Sequence, residues 1–333
     1  MDAEQYFNRV YQDYEKYAVI PVILLMVSLG FIGFQYASTA QFPYIHLNQT
    51  SNGTNVVFEQ GQILEKGVVF EGGTQIRYSI QQDFDTAQIE QIFAAQGRPG
   101  TSALKEISGN QTSLLVTVPP PELSGQEEAE SILNNNSVNN FNVTAESFNA
   151  ITPSVSEYFL QQAFIAFGLA FTIMSLVIFT AFRDLVPSVA VIFAATADIV
   201  FAVAAMSFLG IPLTLGSLAA LLMLIGYSVD TDIVLSSRAL KEKQDSLRER
   251  IWAATKTGIT MSSGGIAGFT ILYFVSIAIV GPSELSTIAS VMVIGLLADM
   301  PFTWFGNAII LKKYVEGDID EYYENFKGDI PWI

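Results

Sequence analysis

The sequence contains no cysteine and only one histidine, His46, among its 333 residues. Disulfide bonds and thiolate metal sites are therefore excluded, and a histidine-based metal site lacks ligands. A phosphate loop, a glycine-rich nucleotide fingerprint and a Ser/His/Asp triad are also missing. The sequence therefore predicts no metal, no cofactor and no enzymatic activity.

Charged residues are scarce, at 14% of the chain, whereas a soluble domain carries about 25%. The deficit is local, because residues 199–229 and 257–283 contain no charged residue. Uncharged apolar stretches of about 18 or more residues are typical of membrane-spanning helices. The net charge of −16 argues against the basic surface that nucleic-acid binding requires, so no nucleic-acid partner is predicted.

Six apolar segments predict a polytopic α-helical membrane protein with six transmembrane helices. The first follows an acidic, aromatic segment and lacks a small-residue cleavage site, so we expect it to be retained. The predicted spans are residues 18–36, 157–181, 187–208, 213–236, 254–278 and 285–311. The predicted divisions are an N-terminal segment (1–17), a first transmembrane helix (18–37), a polar domain (38–156), a five-helix remainder (157–311) and a C-terminal tail (312–333).

Lysine and arginine residues concentrate at one end of the predicted bundle. They are Arg183, Arg238, Lys241, Lys243, Arg248, Arg250, Lys312 and Lys313, and the turns at Gly210 and Gly281, at the other end, carry none. The positive-inside rule therefore predicts a multi-pass protein of the cytoplasmic membrane with both termini cytoplasmic and residues 38–156 outside. Five Asn-x-Ser/Thr acceptor sequences fall in that outer region, at Asn48, Asn52, Asn110, Asn135 and Asn142.

The polar domain is predicted to be a small α/β domain. The expected strands are residues 74–80, 113–118 and 141–145, and the expected helices are residues 85–96 and 124–133. The strands alternate apolar and polar residues, and a potential N-cap precedes the first helix. This β-α-β-α-β order is typical of a ferredoxin-like sandwich.

Five ionisable residues lie inside the predicted spans, where such residues are costly and mark candidate functional sites. They are Asp198, Asp230, Asp232, Lys256 and Asp299. From the helical rise, Asp230, Asp232 and Lys256 are expected roughly 9–12 Å from the cytoplasmic end, and the other two roughly 20 Å. We therefore expect a shallow layer, in which Asp230 or Asp232 can pair with Lys256, and a deeper acidic layer.

An acidic series of this kind can pass protons or bind a cation, and a lysine that moves relative to an aspartate would load and release a proton. The alternative is structural, because a buried aspartate can hydrogen-bond a neighbouring helix and Lys256 can extend to the interface. Asp230 and Asp232 are two residues apart on a helix and cannot face the same partner. Which of them carries an ion, and whether the ion is a proton or sodium, is left open.

Five stretches of the chain carry a family signature. The first, GVVFEGGT (67–74), places Gly72, Gly73 and Thr74 in a G-x-D-F-x-G-G-T motif, although Val69 stands where Asp is usual. The others are residues 151–170, 195–242, 253–262 and 298–310. The stretch 195–242 contains Asp198 and the motif residues Gly226, Tyr227 and Ser228. In this order they resemble the SecF family of protein export, most closely its archaeal members.

The resemblance bears on the charged residues one by one. Asp198 falls on the family's third-span aspartate, and Lys256 stands where the family has arginine. Bacterial members carry their essential aspartate at the position of Thr231, which here lies between Asp230 and Asp232. Asp299, Trp304 and Asn307 are similar to the archaeal sixth span.

The resemblance implies an RND-type half-transporter with a ferredoxin-like extracytoplasmic domain. It implies a SecD-like subunit and the SecY channel complex as partners, secretory polypeptides as substrates, membrane lipid as surroundings and coupling to the proton (or sodium) motive force. Two other interpretations compete with it. One is another RND-type transporter of lipids or small molecules, and the other is a membrane scaffold whose buried charges only hold helices together.

Overall fold

The computed structural model describes residues 3–39, 46–50, 53–57, 64, 68–80, 84–98, 101–108, 111–134, 143–241, 245–279 and 283–317. Four of the acceptor asparagines, Asn52, Asn110, Asn135 and Asn142, lie outside these residues, as do Gly67, Lys243, Gly281 and most of the predicted C-terminal tail.

Helices dominate the described part of the chain. They are α1 (Ala3–Gln12), α2 (Tyr14–Tyr17), α3 (Val19–Thr39), α4 (Val68–Glu71), α5 (Thr86–Ala95), α6 (Gln126–Asn134), α7 (Pro153–Phe182), α8 (Leu185–Leu209), α9 (Leu215–Lys241), α10 (Leu247–Ile279), α11 (Glu284–Phe302) and α12 (Ala308–Glu316). A π-helical turn, Thr303–Asn307, joins α11 to α12, so that the last span is continuous from Glu284 to Glu316. Among the described residues, six helices are long and apolar enough to cross a membrane, which confirms the predicted helical membrane fold.

The centre of the bundle is formed by α8, α9 and α11, because their small residues allow close approach. Ala195 and Ala202 of α8 are fully buried, and Gly295 of α11 lies against Leu224 of α9 without room for a Cβ atom. The outer helices α3, α7 and α10 expose large apolar side chains. An exposed apolar surface of this size suits lipid or another membrane subunit.

The two parallel helices α9 and α11 are tied together at the domain end of the bundle. Glu284 Oε2, at the start of α11, accepts hydrogen bonds from Thr214 Oγ1 at 2.6 Å and from the Gly216 backbone N–H at 2.8 Å. Both donors lie at the N-terminus of α9, where a carboxylate is favoured by the helix dipole. This contact helps to fix the axial register of the two helices.

The opposite end of the bundle is covered by the N-terminal helix α1. Phe7 of α1 is buried, and its ring centroid lies 4.7 Å from that of Trp252 in α10. Arg248 pairs with Glu4 at 3.3 Å, and Lys313 of α12 pairs with Glu15 at 3.0 Å. The N-terminal segment therefore joins α10 and α12 at the end of the bundle where the described chain begins and ends.

The α/β domain contains a four-stranded antiparallel sheet and two helices. Its strands are β3 (Gly73–Ser79), β4 (Ser102–Ser108), β5 (Gln111–Val118) and β6 (Thr144–Ile151), in the order β4-β5-β3-β6, and a separate hairpin pairs β1 (His46–Thr50) with β2 (Gly53–Val57). With α5 after β3 and α6 after β5, the order is β-α-β-β-α-β, as in ferredoxin-like domains. The ferredoxin-like prediction is thus confirmed, whereas the strand β4 is missing from the predicted order.

One face of this sheet forms the core of the α/β domain. Ile76, Tyr78, Leu114 and Val116 alternate along the two central strands and are fully buried beneath α5 and α6. The Tyr78 hydroxyl donates a hydrogen bond to the Ala129 carbonyl oxygen of α6 at 2.9 Å. Burial raises the pKa of Tyr78 above its usual value, so the hydroxyl keeps its proton and this bond.

A buried carboxyl cluster as candidate functional site

Three of the five predicted intramembrane charges meet in the centre of the bundle. Asp198 of α8, Asp232 of α9 and Asp299 of α11 are each fully buried. Three carboxyl groups from three different helices therefore share one site, which no single stretch of sequence contains.

Asp232 is held by two residues of the π-helical turn. The Asn307 Nδ2 donates a hydrogen bond to Asp232 Oδ1 at 2.7 Å, and the Thr303 Oγ1 donates to the same oxygen at 3.0 Å. Both donor residues are buried. The other carboxyl oxygen, Asp232 Oδ2, is buried and has no hydrogen-bond partner among the described residues.

Thr303 also reaches the second carboxyl group, because its Oγ1 lies 3.1 Å from Asp299 Oδ1. The Asp198 and Asp299 carboxyls are neighbours in the cluster. The Ser228 hydroxyl donates to Asp198 Oδ2 and also lies beside Asp299. Thr303 therefore joins Asp232 to Asp299, and Asp198 and Ser228 lie next to Asp299.

In the part of the chain that the structure describes, the cluster has no compensating positive side chain. Among the described residues, no lysine or arginine forms an ion pair with any of its three carboxyls. Two unit charges about 4 Å apart repel each other by about 4 kcal/mol even at an effective dielectric constant of about 20. Three adjacent ionised carboxylates are therefore untenable in this place, and the cluster must hold protons or a cation.

Asp230 and Lys256, the other two predicted charges, are exposed on the surface of the chain. The Lys256 ammonium lies 5.4 Å from the centre of the Trp252 ring, in a cation–π contact. In the described part of the chain it makes no ion pair with Asp230 or Asp232, so the expected acid–base pair is not formed. The helical period explains this, because Asp232 faces the bundle core while Asp230, two residues away, faces outward.

The expected division into a shallow and a deep layer is also wrong, since Asp232 and Asp299 share the Thr303 hydroxyl. The predicted depths were counted from charged residues near the ends of the spans, namely Arg238, Arg250, Asp184 and Lys312. The structure shows that α9 continues to Lys241 and the last span to Glu316. These charged residues therefore lie at different distances from the ends of their helices, and counting from them misplaces one helix relative to the other.

The predicted motif residues have separate places. Ser228 belongs to the carboxyl cluster, whereas Gly226 and Tyr227 are exposed, and the Tyr227 ring contacts Phe269 with centroids 6.0 Å apart. Gly72 and Gly73 lie in the α/β domain, far along the chain from the cluster.

The Gly-Gly-Thr motif has a local structural explanation. Gly73 has φ of +112°, and a Cβ atom there would overlap the Val118 carbonyl oxygen. Only glycine tolerates that combination. The buried Thr74 Oγ1 accepts a hydrogen bond from the Leu123 backbone N–H at 2.8 Å. These residues therefore fix the chain after β5 against the start of β3.

Three further polar residues of the site were not predicted as site residues, and one of them, Asn307, was noted only for its similarity to the archaeal sixth span. Thr303 lies four residues after Asp299, a spacing that places both on one helix face, and this was the available signal. Ser262 of α10 faces the Asp299 carboxyl, although its hydroxyl makes no hydrogen bond among the described residues. Nothing in the spacing of α10 distinguishes Ser262 from its polar neighbours.

Known proteins are similar to this chain in sequence and in fold. The family model described as "Protein export membrane protein SecD/SecF, C-terminal" matches residues 131–317. The SecF protein of Methanothermobacter thermautotrophicus is 37% identical over 76% of this chain and 85% of its own length. The SecF protein of Methanocaldococcus jannaschii is 31% identical over 91% of this chain and 96% of its own length.

Solved structures show the same fold. SecDF from Thermus thermophilus, a translocon-associated membrane protein, aligns with a TM-score of 0.66 at 17% identity over 90% of this chain. SecDF in a super-membrane-facing form aligns with a TM-score of 0.57 at 18% identity. This chain spans 38% and 39% of the length of these two SecDF chains. With the family match and the relatives above, the conclusion is that this chain belongs to the SecF family of protein-export membrane proteins.

Proposed function

We propose that this multi-pass membrane protein assists the translocation of secretory polypeptides and that the carboxyl cluster couples this work to the proton motive force. It acts as a transport subunit, without enzymatic activity of its own. The observation that carries the proposal is the group of three buried carboxyls in the core of the bundle, in which Thr303 joins Asp299 to Asp232 and Ser228 donates to Asp198. Buried carboxyls that adjoin one another are the usual components of a proton path in a membrane protein.

The cluster suits this role because, among the described residues, its carboxyls have no basic partner and some of their oxygens have no hydrogen-bond donor. Each of Asp198, Asp232 and Asp299 has one oxygen without a partner among the described residues. A buried polar atom without a partner is costly, so a proton or a water molecule at these oxygens lowers the energy of the site. Loading and releasing protons then changes the electrostatic repulsion between the carboxyl groups that α8, α9 and α11 contribute. The bundle therefore has two arrangements of different energy.

A membrane partner is supported by the exposed charges on α9 and α10. Asp230 and Lys256 lie on the outer surface of spanning segments, where an unpaired charge against lipid is costly. We propose that a SecD-like subunit covers this face and that the pair works with the SecY channel complex in surrounding lipid. The two SecDF chains are more than twice as long as the segment that matches here, which is consistent with a second half supplied by another chain.

The proposed orientation places both termini in the cytoplasm. Arg183, Arg248 and Lys313 lie at the end of the bundle that carries α1, whereas the α8–α9 connection at the opposite end has no basic residue. Positive residues in short connections favour the cytoplasmic side. The α/β domain would then lie outside the cytoplasmic membrane, on the side where polypeptides emerge.

The proposal is tested by neutral substitutions that keep the shape of the side chain. Membrane vesicles that contain Asp232→Asn or Asp299→Asn at wild-type levels should lose about tenfold or more of the translocation that depends on the proton motive force. Asp245→Asn, at an exposed site in the α9–α10 connection, is the matched control and should leave it unchanged. Full dependence on the proton motive force in a variant with all three cluster aspartates changed to asparagine would refute the coupling role.

Co-purification separates the proposal from its competitors. Tagged protein taken from its native membrane should bring with it a SecD-like subunit and channel components. Recovery with a lipid or metabolite system instead would favour an RND-type transporter of lipids or small molecules. A scaffold role would be favoured if the asparagine variants lowered the melting temperature but left ion-dependent export intact.

A further inference from the structure

We propose that the Thr303 hydroxyl relays a proton between Asp299 and Asp232, and that the π-helical turn from Thr303 to Asn307 brings Asn307 to the same oxygen of Asp232. This inference rests on the proposed coupling role and adds a residue and a transfer step to it. Thr303 is fully buried, and it is the described residue whose side chain bridges these two carboxyls by hydrogen bonds.

The geometry of the hydroxyl leads to the relay. Thr303 Oγ1 lies 3.0 Å from Asp232 Oδ1 and 3.1 Å from Asp299 Oδ1. A hydroxyl has one proton to donate but can accept from another donor. It therefore donates to one carboxylate, and the contact with the other is attractive only if that carboxyl holds a proton and donates it to Oγ1. The bridge thus favours one proton shared by the two acids.

The transfer step follows from this arrangement. With the proton on Asp299, its O–H bond breaks as a new O–H bond forms at Thr303 Oγ1. The original O–H bond of Thr303 breaks as one forms at Asp232 Oδ1. No electron is gained or lost, the threonine ends unchanged, and the negative charge moves from Asp232 to Asp299. The reverse step is the same process read backwards, so the relay works in both directions.

The π-helical turn sets the position of Asn307 relative to Thr303. Pro301 lies inside the last span, and a proline there lacks the N–H that would continue the α-helical pattern. Two residues later the helix widens, and the Ala308 N–H reaches the Thr303 carbonyl five residues back. Single π-helical turns are rare and occur often at functional sites. Here the turn presents Thr303 and Asn307 to the same oxygen of Asp232.

The neighbouring groups cannot replace Thr303. The Asn307 Nδ2 can only donate, so it orients Asp232 but passes no proton. Ser228 donates to Asp198 and lies beside Asp299, but it forms no hydrogen bond with Asp232 among the described residues. The Ser262 hydroxyl faces Asp299 and forms no hydrogen bond among the described residues. Thr303 is therefore the link through which Asp232 joins the other two carboxyls.

The first test measures the coupling between the two acids directly. Infrared difference spectra of the purified full chain, recorded across a pH titration, report the carbonyl band of protonated carboxyls. In the wild type, Asp299→Asn should shift the titration of the band assigned to Asp232. In a Thr303→Val background the same change should shift it much less, and Thr303→Ser should restore the shift. An equal shift in the valine background would overturn the relay.

The second test uses export in vesicles. Thr303→Val should lose about tenfold or more of the translocation that depends on the proton motive force, and Thr303→Ser should recover most of it. The matched control is Thr255→Val, because the hydroxyl of the buried Thr255 has one hydrogen-bond partner among the described residues, the Ile251 carbonyl oxygen of its own helix, at 2.8 Å.

The outcomes distinguish the two proposals. If Asp232→Asn abolishes the dependence on the proton motive force while Thr303→Val keeps it, the relay is wrong and the coupling role stands. If the aspartate variants also keep it, the coupling role fails and the relay fails with it. Loss in Thr303→Val without recovery in Thr303→Ser would assign the effect to packing and would also overturn the relay.

Discussion

The Asn307 side-chain nitrogen lies 2.7 Å from Oδ1 of Asp232 and joins the fourth and sixth spans at the level of the carboxyl cluster. Both residues are buried, at 1% and 0% exposure, so bulk solvent does not reach the bond. Removing one partner of a buried hydrogen bond leaves the other unsatisfied, at a cost of about 1–3 kcal/mol. We therefore expect Asn307→Ala to lower the free energy of unfolding by that amount, as measured by denaturation in detergent.

A matched change on the same span provides the control for Asn307→Ala. Within the described residues, the Ser290 hydroxyl of α11 bonds to one group, the Thr287 carbonyl oxygen of its own helix, at 2.9 Å. Ser290→Ala should therefore alter stability by much less. A wild-type unfolding curve for Asn307→Ala would show that the bond to Asp232 does not hold the two helices together.

Gly258 of α10 allows the Trp304 ring to lie against that helix. A Cβ atom at position 258 would overlap the Trp304 ring and come within 3.1 Å of the Thr231 side chain. Overpacking of this kind typically costs about 1–3 kcal/mol, so Gly258→Ala should lower the melting temperature in detergent.

Gly264 of the same helix is the control for Gly258, because it has open space around it. Gly264→Ala should be neutral or stabilising by up to about 1 kcal/mol, since alanine favours a helix more than glycine does. Equal effects of the two alanine substitutions would mean that α10 does not pack against Trp304 as described.

The sequence predicts the fold more completely than the site. Long uncharged stretches indicate the spans, because a membrane imposes a length and an apolar composition on each helix separately. The strand β4 escapes prediction because Lys105 and Glu106 interrupt its apolar pattern, and pairing with β5 supplies what its own residues lack. Strand β4 forms because it pairs with a neighbouring strand, and the periodicity of its own residues carries no information about that pairing.

The carboxyl cluster was predicted only in part, for a geometric reason. The cost of charge in a membrane singles out Asp198, Asp232 and Asp299, but equally Asp230 and Lys256, which are exposed. Whether a charged side chain faces the core or the outside depends on how its helix is rotated about its axis. That rotation is set by packing against the neighbouring helices. The π-helical turn adds a local change of phase between Thr303 and Asn307, so an α-helical period does not predict the face on which Asn307 lies.

Phe7 of α1 should contribute strongly to the stability of the end of the bundle that it covers. Its ring is 6% exposed and contacts the rings of Trp252, Tyr11 and Tyr14. Truncation of a buried phenylalanine to alanine typically costs about 3–5 kcal/mol, so Phe7→Ala should lower the melting temperature markedly. Tyr6→Ala, at a residue that is 63% exposed, is the adjacent control and should have little effect. A small effect of Phe7→Ala would indicate that α1 is not docked on α10.

The α/β domain should lose stability in acid through Glu130. The Ala145 backbone N–H donates to Glu130 Oε1 at 2.9 Å and Gln126 Nε2 donates to it at 3.1 Å, and these bonds lower the pKa of Glu130 from its usual 4.5. Because the folded pKa is the lower one, the unfolded chain binds more protons in acid. The contribution of Glu130 is therefore present above about pH 4.5 and is lost as the pH falls through the folded pKa.

Limited proteolysis of the α/β domain in the full chain, followed from neutral pH into acid, measures this dependence. Glu130→Gln should reduce stability at neutral pH and flatten its decline in acid, because the substituted side chain no longer titrates. Part of the decline should persist, since the Ser124 hydroxyl and backbone N–H lower the pKa of Glu128 in the same domain. Glu127→Gln, at an exposed residue of α6, should reproduce the wild-type profile. An unchanged profile in Glu130→Gln would show that the hydrogen bond to β6 does not depend on the charge of this carboxylate.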